Sequence, residues 1–203
     1  NAISDIWAMG GRPTMALSIL GWPIEKLPPE VAQQVVAGAR ALCQEAGIVL
    51  AGGHSIDSPA PIFGLAVSGV VAKENLQQSD QARPGDLLFL TKPLGVGLMT
   101  TAEKRGALRP EDKGTAAASM MRLNSVGATL GQIPGVHAMP DVTGFGLLGH
   151  LGEMCAGSEV DAEVVLKEVP TFDGISHYLE LGSMPGGTRR NWESYGHRIQ
   201  EID

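Results

Sequence analysis

Apolar positions recur along this chain with periods that mark out its elements. Ala2, Ile3, Ile6 and Met9 fall at helical spacing and Gly10-Gly11 stops the run, so residues 1–9 are predicted as a helix. Residues 14–20 form a short apolar run after Pro13 and read as a buried strand. Gly21-Trp22-Pro23 is a turn, and Leu27-Pro28-Pro29 opens a helix to about residue 46. Val31, Val35, Ala39 and Leu42 stripe that helix and Gly47 closes it. A strand at 48–50 ends in Ala51-Gly52-Gly53-His54, and residues 62–71 form a further apolar strand. This β-α-β-β order predicts an α+β unit with a mixed or antiparallel sheet.

Residues 72–85 are polar, contain Arg83-Pro84-Gly85 and read as a linker. Beyond them the pattern predicts strands at 87–90, 136–139 and 162–166. Helices are predicted near 98–105 and 111–130, and Leu147, Leu148, Leu151 and Met154 mark another helix face. Gly186-Gly187-Thr188 reads as a loop. Two domains are expected, at 1–80 and 83–203.

Composition narrows the function classes. The chain has 203 residues, 43% of them hydrophobic, which suits a globular protein rather than a disordered one. A net charge of -7 argues against a general nucleic-acid or anionic-membrane binder, and 4% aromatic content argues against a stacking platform. No apolar run reaches the ~18 residues of a membrane-spanning helix, and no signal peptide is visible. Cys43 and Cys155 stand far apart with no CxxC or Cys/His cluster, so reduced thiols in a cytoplasmic protein are expected rather than zinc or a disulfide. The 27 glycines are about 13% of the chain against roughly 7% on average. They direct attention to turns and to places where backbone meets a ligand. The chain opens at Asn1 inside a predicted helix, so an upstream segment is expected.

Several stretches carry residues with chemical potential. Asp5 shares a face with Asn1 on a largely apolar helix, and its carboxylate needs water, a partner or a cation. Gly52-Gly53-His54-Ser55 after a strand reads either as a backbone nest for phosphate oxygens or as a tight turn. In residues 140–150 a carboxylate, Asp141, precedes a glycine-rich turn and a helix start, a combination that suits Mg²⁺ and phosphate. Gly144, Gly146 and Gly149 formally match a dinucleotide fingerprint, but Pro140-Asp141 places a negative charge where a pyrophosphate would lie. Lys92 reads either as a phosphate contact or as a solvated loop lysine. Residues 186–191 read either as the lip of an anion site or as a solvated turn.

Taken together, residues 1–11, 20–24, 51–57, 90–95, 140–150 and 185–188 resemble the selenophosphate synthetases, within the aminoimidazole-ribotide-synthetase-like (PurM-like) ATP enzymes. The resemblance implies two PurM-like α+β domains. The first is a mixed βαββ sheet that dimerises, and the second is an α/β sandwich truncated at its C-terminus. It also implies synthesis of selenophosphate from ATP, selenide and water, with AMP and phosphate as the other products. The ATP site would be shared between the subunits of a homodimer. By position, Asp5 and Asp141 match family aspartates that bind ATP-linked Mg²⁺, and Gly53, His54 and Ser55 match a loop that touches ATP. The family's reactive Cys or selenocysteine and its Lys would lie upstream of Asn1, so no catalytic nucleophile is assigned within these residues and the piece alone is expected to be incomplete. The alternatives are a non-catalytic assembly module and a related ATP enzyme of purine or thiamine synthesis.

Overall fold

A computed structural model describes residues 1–200. The chain divides into two compact units, Asn1–Gln78 with Leu123–Met139, and Ser79–Arg122 with the residues from Pro140 onward.

The first unit is built on a three-stranded mixed sheet. Strand β1 (Arg12–Trp22) lies between β2 (Val49–Asp57) and β3 (Ile62–Val70). β1 pairs parallel with β2, and helix α2 (Pro29–Glu45) makes the crossover that a parallel pair requires. β3 runs antiparallel on the other side of β1. The β2–β3 connection passes the end of β1, where the Ser58 N–H donates to the Trp22 carbonyl (3.3 Å) and Lys26 Nζ to that of Pro59 (3.0 Å). The predicted mixed βαββ unit is what forms.

Helix α1 (Ala2–Ala8) turns Ile3, Ser4 and Trp7 inward. Ile3 and Trp7 join Ala16, Cys43 and Ile48 in the core, with Leu50, Leu65, Val67, Leu123 and Ala128 packed around them. Residues 123–139, read from sequence with the second half, lie in this first unit. The backbone of Gly127 in α5 (Val126–Leu130) sits so close under α1 that a Cβ there would come within 2.5 Å of the Trp7 carbonyl oxygen. Asn124 Nδ2 also donates to Ser4 Oγ (2.9 Å). The helix expected over 111–130 is therefore two: α4 (Thr115–Met121) ends at Arg122, whose backbone is extended (φ -66°, ψ 119°), and α5 begins after the chain has entered the first unit.

The second unit is helical: α3 (Val96–Lys104), α4, α6 (Gly146–Ser158), α7 (Ile175–Glu180) and α8 (Gly187–Tyr195). Met99, Ala102, Ala116, Ile175 and Tyr178 form its core. The strands predicted at 87–90, 136–139 and 162–166 do not form. A strand needs a neighbouring ladder, and among the described residues these segments have at most the isolated bridges Gln78–Ala138 and Leu94–Thr171 nearby. Much of 87–90 and 162–166 stands in solvent, with Phe89 85% and Leu166 83% exposed, while residues 136–139 are half-buried. Among the described residues no helix is long and apolar enough to cross a membrane.

Candidate functional site

In the first unit, Asp5 lies in the first turn of α1 on the exposed side of the helix, opposite the buried Ile3 and Trp7. Gly53, His54 and Ser55 occupy neither a nest nor a tight turn. β2 runs through them in ladder with β1, Ser18 opposite Gly53 and Trp22 opposite Asp57. The register slips once, where Ala51 is the extra residue of a bulge and Gly52 adopts φ 154°. The glycines therefore have a fold reason of their own. A Cβ on Gly53 would stand 2.2 Å from both the carbonyl oxygen and Oγ of Ser18. Strand alternation sends His54 and Ser55 to opposite faces. Ser55 lines a shallow groove of about 310 Å³ with Leu20, Trp22, Pro29 and Asp57.

In the second unit, Asp141 lies just before the glycine-rich turn into α6. Its Oδ2 is buried and has no hydrogen-bond partner. A carboxylate oxygen shielded from water with nothing positive against it is costly unless a cation completes it. Of the sequence-predicted positions, this is the one whose local environment fits a metal. Among the described residues no group of three or more His, Cys, Asp or Glu side chains forms a metal cage. A single carboxylate oxygen is a donor that Mg²⁺ could use beside water and phosphate oxygens.

The turn after Asp141 is held from several directions. The Gly146 N–H donates to the Thr143 carbonyl (3.0 Å), and Gly146 takes φ +74°. Thr143 Oγ1 lies 3.2 Å from His150 Nε2, whose Nδ1 is 3.5 Å from Glu153. From α8, Asn191 Nδ2 donates to the Gly144 carbonyl (2.8 Å) and the Tyr195 hydroxyl to that of Phe145 (2.5 Å). Gly149 is small because α8 packs on it: a Cβ there would come within 2.9 Å of the Tyr195 ring. No strand precedes this turn, so the formal dinucleotide fingerprint lacks the context that would give it meaning. Sequence reading took residues 186–191 as a loop, with Asn191 inside it, and did not single out Tyr195. Their four-residue spacing on one helix face was the available signal.

Lys92 is not a free, solvated loop lysine. Its ammonium donates to the carbonyls of Ser119 (3.1 Å) and Arg122, at the C-terminal end of α4. Burial, with Arg122 nearby, holds its pKa below the usual lysine value. The stretch at 186–191, read as a loop, is helical: Gly186 caps α8 and residues 187–191 form its first turns, where Arg189 pairs with Glu193 at 2.8 Å. Burial raises the Cys43 thiol, and burial with Asp161 raises that of Cys155, so neither is poised as a thiolate.

The profile of the AIR synthase related protein C-terminal domain matches residues 83–187, and that of the N-terminal domain matches residues 1–71. The chain belongs to the AIR synthase related family. It is 59% identical over 199 residues to a selenide, water dikinase of Yersinia pseudotuberculosis, covering 98% of this chain and 57% of that protein. It is 57% identical to one of Aeromonas hydrophila, covering 100% of this chain and 59% of that protein. The chain thus spans less than three fifths of the length of these relatives. Among solved structures, thiamine-monophosphate kinase from Stenotrophomonas maltophilia superposes with a TM-score of 0.74 at 26% identity, over 84% of this chain and 55% of that one. Hydrogenase maturation protein HypE, solved in complex with ATP, superposes with a TM-score of 0.78 at 22% identity, over 90% of this chain and 56% of that one. The PurM-like fold expected from the motifs is the fold of these neighbours.

Proposed function

We propose that this chain carries the nucleotide- and metal-binding part of a selenide, water dikinase. The whole protein would convert ATP, selenide and water to selenophosphate, AMP and phosphate. The observation that carries the metal side of this reading is the buried, unpartnered Oδ2 of Asp141 at the entry to α6. The choice of selenide rests on the names of relatives 57–59% identical across nearly the whole chain.

Asp141 and Asp5 would hold the ATP-linked Mg²⁺. When bound, that ion neutralises charge on the phosphates, which together with positioning is most of what phosphoryl transfer needs. The chain's own contribution is to fix the turn after Asp141 and to exclude water from one oxygen of its carboxylate. The N-terminal domain, 1–80, supplies ATP contacts at Gly53, His54 and Ser55, and it dimerises; the C-terminal domain, 83–203, supplies Asp141. The sheet's outer face supports the dimer: Leu17, Ile19, Val49, Ile56 and Ile62 are exposed large apolar side chains on three paired strands. In such a homodimer the ATP site would be shared between the subunits. The proposed compartment is the cytoplasm, where both thiols stay reduced.

Phosphorus NMR of the full-length enzyme tests the reading. Selenide-dependent conversion of ATP to AMP, phosphate and a phosphorus–selenium species is expected. ADP as the end product, or ATP turnover indifferent to selenide, would overturn it. Sedimentation of the same protein should give a dimer that Ile19→Lys dissociates.

A further inference from the structure

The turn that carries Asp141 into α6 is held only in part by local bonds, the Gly146 N–H on the Thr143 carbonyl and Thr143 Oγ1 beside His150 Nε2. Val142, Thr143, Gly144 and Phe145 include no proline, Gly144 has open space around it, and Thr143 and Phe145 are exposed. Two side chains from a helix about fifty residues away grip it. Asn191 and Tyr195 are one helical turn apart on α8, so both point from the same face. They donate to two consecutive carbonyls, Gly144 at 2.8 Å and Phe145 at 2.5 Å. A trans peptide points its C=O and N–H in opposite directions, and among the described residues there is no cis bond. Fixing the Gly144 carbonyl toward α8 therefore turns the Phe145 N–H away from it. Fixing the Phe145 carbonyl sets the first peptide of α6. The Tyr195 ring lies flush on the Gly149 backbone, so the hydroxyl is held at a set height above the turn.

We propose that Asn191 and Tyr195 are positioning residues for the metal–nucleotide site. They clamp the Gly144–Phe145 backbone and so set how the Asp141 carboxylate and the start of α6 face ATP–Mg²⁺. This rests on the function proposed above. Neither residue needs to touch substrate.

The test uses the full-length enzyme with Tyr195→Phe, which keeps the ring on Gly149 and removes only the hydroxyl, and with Asn191→Ala. Steady-state kinetics with varied ATP–Mg²⁺ and thermal melts are read together, with Asp141→Asn as reference. Each clamp variant is expected to raise the KM for ATP–Mg²⁺ or the half-saturating Mg²⁺ concentration about 3- to 10-fold, the factor a lost hydrogen bond gives. The KM for selenide stays unchanged and the melting temperature stays near wild type. The double variant approaches the product of the single effects, and Asn191→Gln restores part of the loss. Unchanged ATP–Mg²⁺ parameters in both variants, beside a disabled Asp141→Asn, would overturn the clamp and leave the metal site standing. Losses that track only a lowered melting temperature would overturn it too. An Asp141→Asn enzyme with normal Mg²⁺ dependence would remove the site the clamp serves, and both proposals with it.

Discussion

Gly53→Ala separates two reasons for a glycine in β2. In the structure, an alanine Cβ at 53 would sit 2.2 Å from both the carbonyl oxygen and Oγ of Ser18, and 2.9 Å from its carbonyl carbon. Carbon and oxygen do not approach to 2.2 Å without bonding, so β1 and β2 must part by more than an ångström. The hydroxyl can rotate away, but the backbone carbonyl cannot. Overpacking of this kind costs about 1–3 kcal/mol, and immovable backbone puts it at the upper end. For a chain of this size about 3 kcal/mol is a fall of roughly 6–12 °C in melting temperature. Gly38→Ala is the control. It lies exposed in α2, with nothing within 4 Å of its Cβ position, and should leave the melt unchanged or slightly raised. Circular dichroism melts of the two variants decide the matter. Ser18→Gly should rescue Gly53→Ala only in part, since the carbonyl stays. Equal melts for the two alanine variants, or full rescue by Ser18→Gly, would refute the packing argument. A loss of ATP binding at unchanged stability would mean that Gly53 is kept small for the ligand instead.

Two further outcomes are expected. Lys92→Met loses both bonds to the carbonyls at the end of α4, which should cost about 1 kcal/mol, or roughly 2–4 °C of melting temperature, while leaving the KM for ATP unchanged; a large KM effect at an unaltered melt would restore Lys92 to the phosphate site. Asp112 accepts hydrogen bonds from the Tyr178 hydroxyl and the Arg109 guanidinium, and these hold its carboxyl below the usual carboxylate value. A depressed folded-state pKa stabilises the fold above the unfolded value, near 4, and the gain is lost as pH falls through the folded value. Asp112→Asn should therefore flatten the decline in urea midpoint between about pH 5 and pH 3, and an unchanged slope would show that the carboxylate does not couple to folding.

The elements legible in the sequence are those whose signal is local. Val31, Val35, Ala39 and Leu42 announce α2, and the apolar runs after Pro13 and from Ile62 announce β1 and β3. β2 was read too short because Gly52-Gly53 look like punctuation. They are instead a bulge and a close approach to Ser18, visible only once β1 is laid alongside. The three missing strands have strand-like composition but no ladder beside them among the described residues, and pattern alone does not supply a partner. Residues 123–139 were read with the second half, and their attachment to the first unit left no local sign because it is tertiary, through Gly127 under Trp7 and Asn124 on Ser4. At the site, Asp141 was legible because a carboxylate, a glycine turn and a helix start are consecutive. The grip of Asn191 and Tyr195 spans 47 and 50 residues and leaves no mark in either segment alone.

The central claim is that Asp141 is a metal carboxylate of an ATP-consuming selenium enzyme. The most direct measurement is a Mg²⁺ titration of selenide-dependent AMP formation by the full-length enzyme and its Asp141→Asn variant. The variant preserves shape and hydrogen-bonding capacity but removes the charge. A loss of about 100-fold or more in kcat/KM, or a matching rise in the Mg²⁺ requirement, is predicted, since even groups behind a metal ligand are worth 10–100-fold. Wild-type turnover at wild-type Mg²⁺ would contradict the account.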